Sequence, residues 1–160
     1  MKIKLLKPLL SVALLLNLIT ATSAIYAETP AIKSRSETSP PKVLIENAWV
    51  RATNKGQSVG AAYMTLTSQQ DLSLFCVTSD VTDNVEIHNM AMQNGIMKMR
   101  MLDSLAIKAN KPTQLAPGGF HLMLFDLEKP LIKGEKIHFT LKFEDKNGAV
   151  SEQKTIATVK

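Results

Sequence analysis

Between residues 137 and 143 apolar and polar side chains alternate one by one, with Ile137, Phe139, Leu141 and Phe143 set against His138, Thr140 and Lys142. Successive side chains of an extended chain leave it in opposite directions, so this period of two predicts a strand with one face on a core and the other in water. β-rich runs also cover Val43 to Arg51, Val59 to Thr67, Leu72 to Thr78, Val85 to Met90, Ile96 to Leu102, Phe120 to Leu127 and Val150 to Val159. Turn-forming residues interrupt them at Asn94-Gly95, Pro117-Gly118-Gly119, Lys133-Gly134 and Asn147-Gly148, where glycine and asparagine accept the backbone angles of a reversal. No convincing amphipathic helix and no internal repeat is visible. Seven to nine short strands predict an all-β domain, a Greek-key sandwich or barrel.

Upstream the pattern is of another kind. Lys2, Lys4 and Lys7 precede an apolar run from Leu9 to Ile19, and small residues follow at Thr22-Ser23-Ala24 and Ala27. That order defines a secretory signal peptide, residues 1–27, with cleavage expected after Ala24 or Ala27. The run falls short of the about 20 apolar residues that a membrane-spanning helix needs, so stable membrane insertion is not expected. No cysteine lies near the cleavage region, and no lipid anchor is expected either. Residues 28–41 are rich in Ser, Thr, Pro and charge with little to bury, which predicts a disordered linker. The remaining 42–160 is the size of one ordinary domain. Cys76, the only cysteine, has no partner for a disulfide within the chain and is expected to be a buried small hydrophobe on its strand.

Charge changes the picture little. Nineteen basic against fourteen acidic residues give a formal +5. The first 27 residues hold three lysines and no acid, so the rest carries +2. A near-balanced surface without a Lys/Arg cluster lacks the footprint of a nucleic-acid binder.

Candidate chemistry lies in four side chains: His88, ten residues, Met99, twenty-one residues, His121, one residue, Met123. Thioether sulfur is a soft, neutral donor suited to Cu(I) and of little use to Zn, Mg or Ca, whereas imidazole serves most transition metals. In an oxidising compartment a thiolate trap would be lost to disulfides and over-oxidation; Met and His avoid this. His121 and Met123, two apart on a strand, leave the same face about 6.5 to 7 Å apart at Cα, while Leu122 and Leu124 face the core. Met99 shares a face with Met97 and Met101, with Lys98 and Arg100 on the other. Met97 and Met101 read as packing residues. Met90 and Met92 read as auxiliary, since His88-Asn89-Met90 repeats the pattern of His121-Leu122-Met123. His138 sits on the polar side of its strand and is left outside the site.

Four other functions compete with this one. A blue-copper electron carrier needs a Cys thiolate with two His and an axial Met, and Cys76 has no His or Met close behind it. A thiol-disulfide reductase lacks its Cys-x-x-Cys. A metal-free β-sandwich serving as an interaction module is the default without the spacing. Hydrolases are opposed by the lack of a Gly-x-Ser-x-Gly elbow or a phosphate-binding glycine loop, and the protein is expected not to be an enzyme.

The His-x10-Met-x21-His-x-Met spacing resembles the signature of the periplasmic copper chaperones called PCu(A)C. The likeness extends to Ala48-Trp49-Val50-Arg51-Ala52-Thr53, Ala61-Ala62-Tyr63-Met64-Thr65-Leu66, Val85-Glu86-Ile87-His88-Asn89-Met90, Gly95-Ile96-Met97-Lys98-Met99-Arg100 and Pro117-Gly118-Gly119-Phe120-His121-Leu122-Met123-Leu124. The resemblance implies a cupredoxin-like sandwich or barrel that binds one Cu(I) at an exposed site through His88, Met99, His121 and Met123. It also implies a periplasmic carrier that hands copper to assembly proteins or to the oxidase copper subunit, for the Cu(A) site of cytochrome c oxidase or related centres; a monomer is expected. Some relatives carry a His- and Met-rich C-terminal tail; here the sequence ends Ala157-Thr158-Val159-Lys160, and independent Cu(II) handling is not expected.

Overall fold

The computed structural model describes residues 42–160. It contains β1 (Val43–Val50), β2 (Gly60–Ser68), β3 (Leu72–Ser79), β4 (Val85–Gln93), β5 (Ile96–Leu102), β6 (Leu105–Ile107), β7 (Thr113–Leu115), β8 (Phe120–Leu124), β9 (Lys136–Asp145) and β10 (Val150–Val159). There is no helix among the described residues. The expected signal peptide and linker, 1–27 and 28–41, lie outside them.

The strands form one sheet in the order β5-β4-β8-β7-β2-β1-β10-β9-β3-β6, with β8 also pairing with β2. Most pairs are antiparallel, but β1 runs parallel to β10 and β7 parallel to β8. An isolated bridge from Ser68 to Ala109 brings the chain just past β6 back to the end of β2, so the sheet curls into a nearly closed barrel. Inside it, Met64 and Leu66 of β2, Leu74 of β3, Leu122 and Leu124 of β8, and Phe139, Leu141 and Phe143 of β9 are all fully buried. Each such side chain contributes about 1.5–3 kcal/mol on leaving water. The alternation along β9 is obeyed: Ile137, Phe139, Leu141 and Phe143 are buried, while Lys136 and His138 are exposed.

All eight runs predicted from the pattern are strands. The count reaches ten because β6 and β7 have three residues each, too few for a period of two to register. β8 stops at Leu124, ahead of Asp126 at a φ of 55°. β3 carries a bulge between Leu74 and Cys76. Phe75 is exposed there and Cys76 is half-buried, not buried as expected, because the bulge breaks the alternation that would have turned it inward. Trp49 is half-buried and packs on Tyr63 with ring centroids 4.4 Å apart.

At the β4–β5 connection Asn94 and Gly95 have φ of 53° and 76°. Two consecutive positive values are those of a type I′ turn, whose twist matches the flanking strands and fixes the register of the hairpin.

Candidate metal centre

The register of β5, β4 and β8 arranges the predicted ligands. His88 stands opposite Met101 on one side and His121 on the other. Directly opposed residues of antiparallel strands share a face, so Met101, His88 and His121 make one row. One step toward the hairpin tip, Met90 opposes Met99, and beyond it Met92 opposes Met97. One step the other way, Glu86 opposes Met123. Ile87, Leu122 and Leu124, on the alternate face, are buried in the core. The two imidazoles are also buried, at 8% and 6% exposure, and the Phe125 ring lies 6.1 Å from that of His88.

The two ring centroids are 5.8 Å apart. A metal–nitrogen bond of about 2.0 Å extended by the ring radius puts each centroid about 3 Å from a shared ion, so the pair spans the distance one ion requires. Partners fix the nitrogens that remain. Nδ1 of His121 donates to the Gly119 carbonyl at 3.0 Å, leaving Nε2 bare. Nε2 of His88 donates to the Glu86 carboxylate at 2.7 Å, leaving Nδ1 bare, and this Nδ1 is buried with no hydrogen-bond partner. An unpaired buried polar nitrogen costs about 1–3 kcal/mol, a cost that a coordinated ion removes. Holding one ring nitrogen by a carboxylate or carbonyl is how proteins orient a histidine for metal.

The Gly119 carbonyl also accepts the Met90 amide at 3.1 Å, tying the start of β8 to β4. It is presented by the turn Ala116-Pro117-Gly118-Gly119, closed by Gly119 N–H to the Ala116 carbonyl at 3.0 Å. Proline at the second position and Gly118 at a φ of 84° are the requirements of a type II turn. Beside it opens a groove of about 320 Å³ whose lining includes Arg51, Tyr63, Met90, Gly118, His121 and Met123. The Arg51 guanidinium lies over the Tyr63 ring at 5.8 Å.

The structure brings His88, His121 and Met123 together with Met90, which the sequence marked only as auxiliary and which lines the same groove as His121 and Met123. Met99 is on β5, at the edge of the sheet, and is 49% exposed. Met97 and Met101, read from sequence as packing residues, are exposed instead: they lie on the outward face of an edge hairpin, over which no element of the described residues packs. Glu86 and the Gly119 carbonyl were missed, since a carboxylate two residues before a histidine has no distinctive signal in one sequence. His138 pairs with Asp80 at 2.7 Å on β9, away from these strands. Cys76 is on β3, which pairs with β9 and β6 and with none of the site's strands. Among the described residues no three His, Cys, Asp or Glu side chains gather as a metal-binding group.

A cupredoxin-like barrel with buried imidazoles and thioethers on one sheet face defines a domain of the PCuAC type. The chain belongs to the family described as "Putative lipoprotein LpqE-like", whose model matches residues 43–155. It is 33% identical over 104 residues to "Putative lipoprotein Lxx21020" of Leifsonia xyli subsp. xyli, which covers 64% of this chain and 63% of that one. To RP573 of Rickettsia prowazekii it is 32% identical over 103 residues, 61% of this chain and 57% of that one. The chain thus spans about three fifths of the length of these curated relatives. Among solved structures, the copper-bound PCuAC domain from PmoF2 superposes with a TM-score of 0.59 at 27% identity, covering 74% of this chain and 92% of that one. The Cu(I) form of DR1885 from Deinococcus radiodurans gives 0.57 at 30% identity, with 73% and 76% covered.

Proposed function

We propose that this protein is a Cu(I) metallochaperone of the periplasm, not an enzyme, with His88, His121, Met123 and Met99 as its ligands. The observation that carries this is the pair of buried imidazoles, each held through one nitrogen and bare at the other, with Met123 beside them. The solved neighbours support it, one a copper-bound domain and one a Cu(I) form. Two imidazoles and two thioethers are neutral donors, so the bound ion keeps its single positive charge and no thiolate is left to oxidise. Protons compete with metal for the imidazoles, so acid weakens binding.

Release follows from the asymmetry of the four. The histidines are buried and oriented, whereas Met99 is half exposed on the edge strand and flexible along three side-chain bonds. Met99 is therefore the ligand an acceptor displaces first, with a Cys or His of the acceptor adding before it leaves. The acceptors in this reading are assembly proteins or the copper subunit of cytochrome c oxidase. The test is to mix Cu(I)-loaded protein with the metal-free soluble domain of an oxidase copper subunit. Transfer faster than dissociation into a Cu(I) chelator supports direct hand-over. Transfer no faster than dissociation contradicts it.

A further inference from the structure

We propose that the outer face of the β4–β5 hairpin is a second site for a soft monovalent ion, Cu(I) or Ag(I), built from Met92 and Met97 with Met90 behind them. Five of the eight methionines of the chain, at positions 90, 92, 97, 99 and 101, fall on this one face. Four of them, Met92, Met97, Met99 and Met101, are 44–64% exposed. Neither packing nor strand propensity selects methionine there: among the described residues no element packs on the face, and exposed strand positions favour Thr, Val, Ile and aromatic residues. What these positions have in common is a thioether.

The register supplies the geometry. Met92 and Met97 are directly opposed, and such pairs have Cβ atoms about 4.5–5.5 Å apart, close enough for two flexible side chains to turn their sulfurs on one ion. Met90 is one same-face step, about 6.5–7 Å, behind Met92. The positive side chains of the hairpin are kept off this face: Lys98 and Arg100 pair with Ala91 and Asn89 on the other, and Arg100 donates to the Gln93 side chain there at 3.1 Å. Sulfur without a carboxylate or thiolate selects a soft ion of low charge over Mg, Ca or Zn. The face is continuous with the buried centre, since the rows Met92/Met97, Met90/Met99 and Met101/His88 follow one another. An ion captured at the exposed tip is two steps from the imidazoles.

This goes beyond the chaperone reading, and the hairpin site stands or falls apart from it. The test uses redox-inert Ag(I) and the protein labelled with ¹³C at its methionine methyls, followed by ¹H–¹³C correlation spectra. The expected result is two equivalents, a tight one shifting Met123 and a weaker one shifting Met92 and Met97. The Met92→Leu, Met97→Leu variant, which keeps apolar bulk at exposed positions, then binds one equivalent, still shifting Met123. The His88→Ala, His121→Ala variant keeps the hairpin equivalent. Saturation of the parent at one equivalent overturns the proposal. So does a second equivalent that survives in the leucine variant, or a hairpin equivalent that vanishes with the histidines.

Discussion

Glu86 accounts for the orientation of His88 more directly than any other side chain: its carboxylate accepts a hydrogen bond from Nε2–H at 2.7 Å and leaves Nδ1 bare in a buried setting. Removing such a partner of a metal-binding histidine typically lowers metal affinity 10–100-fold. Glu86→Gln is expected to weaken Cu(I) binding within about that range and to leave the unfolding midpoint little changed, as read by competition titration beside thermal melting. An unaltered affinity would remove Glu86 from the account. At this scale the sequence was informative about ligands and silent about their supports. His88, His121 and Met123 stand out because soft donors at that spacing are rare, and the structure gathers them. Met90 was ambiguous because its place in the groove depends on the Gly119 carbonyl of the turn before β8, distant in sequence.

The elements that matter most are the two turns beside the site. A Cβ at Gly118 would meet no atom within 4 Å, so the strain of a side chain there comes from the backbone: φ is 84°, and an L-residue in the left-handed region costs about 1–2 kcal/mol. Gly118→Ala is expected to lower stability by about that amount and to weaken copper binding, since the turn aims the Gly119 carbonyl at His121. Urea unfolding and titration of the same variant measure both. At the hairpin tip, Gly95→Val opposes the positive φ of the type I′ turn. It should lower hydrogen-exchange protection of β4 and β5 amides while β9, in the core, keeps its protection. Equal loss in β9 would mean that the hairpin is not a separable unit. These elements were legible because alternation and Asn-Gly or Pro-Gly-Gly signals are local. β6, β7 and the bulge at Cys76 were not, since a three-residue strand or an inserted residue is fixed by pairing with distant strands.

For the whole molecule, the class and the apolar core follow from period-two runs, but which strands are neighbours does not. The order that sets β8 between β4 and β7, and so joins His88 to His121, came from the structure. Stability in acid is also a property of the whole. Asp71 is held below the ordinary aspartate value of 3.8 chiefly by the Ala109 amide and then by Lys108. Asp145 is held below it by the Ala149 and Asn147 amides. Both carboxyls are depressed in the folded state, so the folded chain binds fewer protons than the unfolded one. Their contribution is present above about pH 4 and is lost as pH falls through the depressed values. Asp71→Asn, Asp145→Asn should therefore show a shallower fall of the urea midpoint below about pH 4 than the parent; an identical fall would assign acid sensitivity elsewhere. The central claim is one tight Cu(I) held by the buried imidazoles with thioether sulfur. It is tested most directly by competitive Cu(I) titration under reducing conditions of the parent, His88→Ala, His121→Ala and Met99→Leu, Met123→Leu. The account predicts one tight equivalent in the parent, lost in the histidine variant and lost in the methionine variant. Tight binding retained in either variant, or absent from the parent, would contradict it.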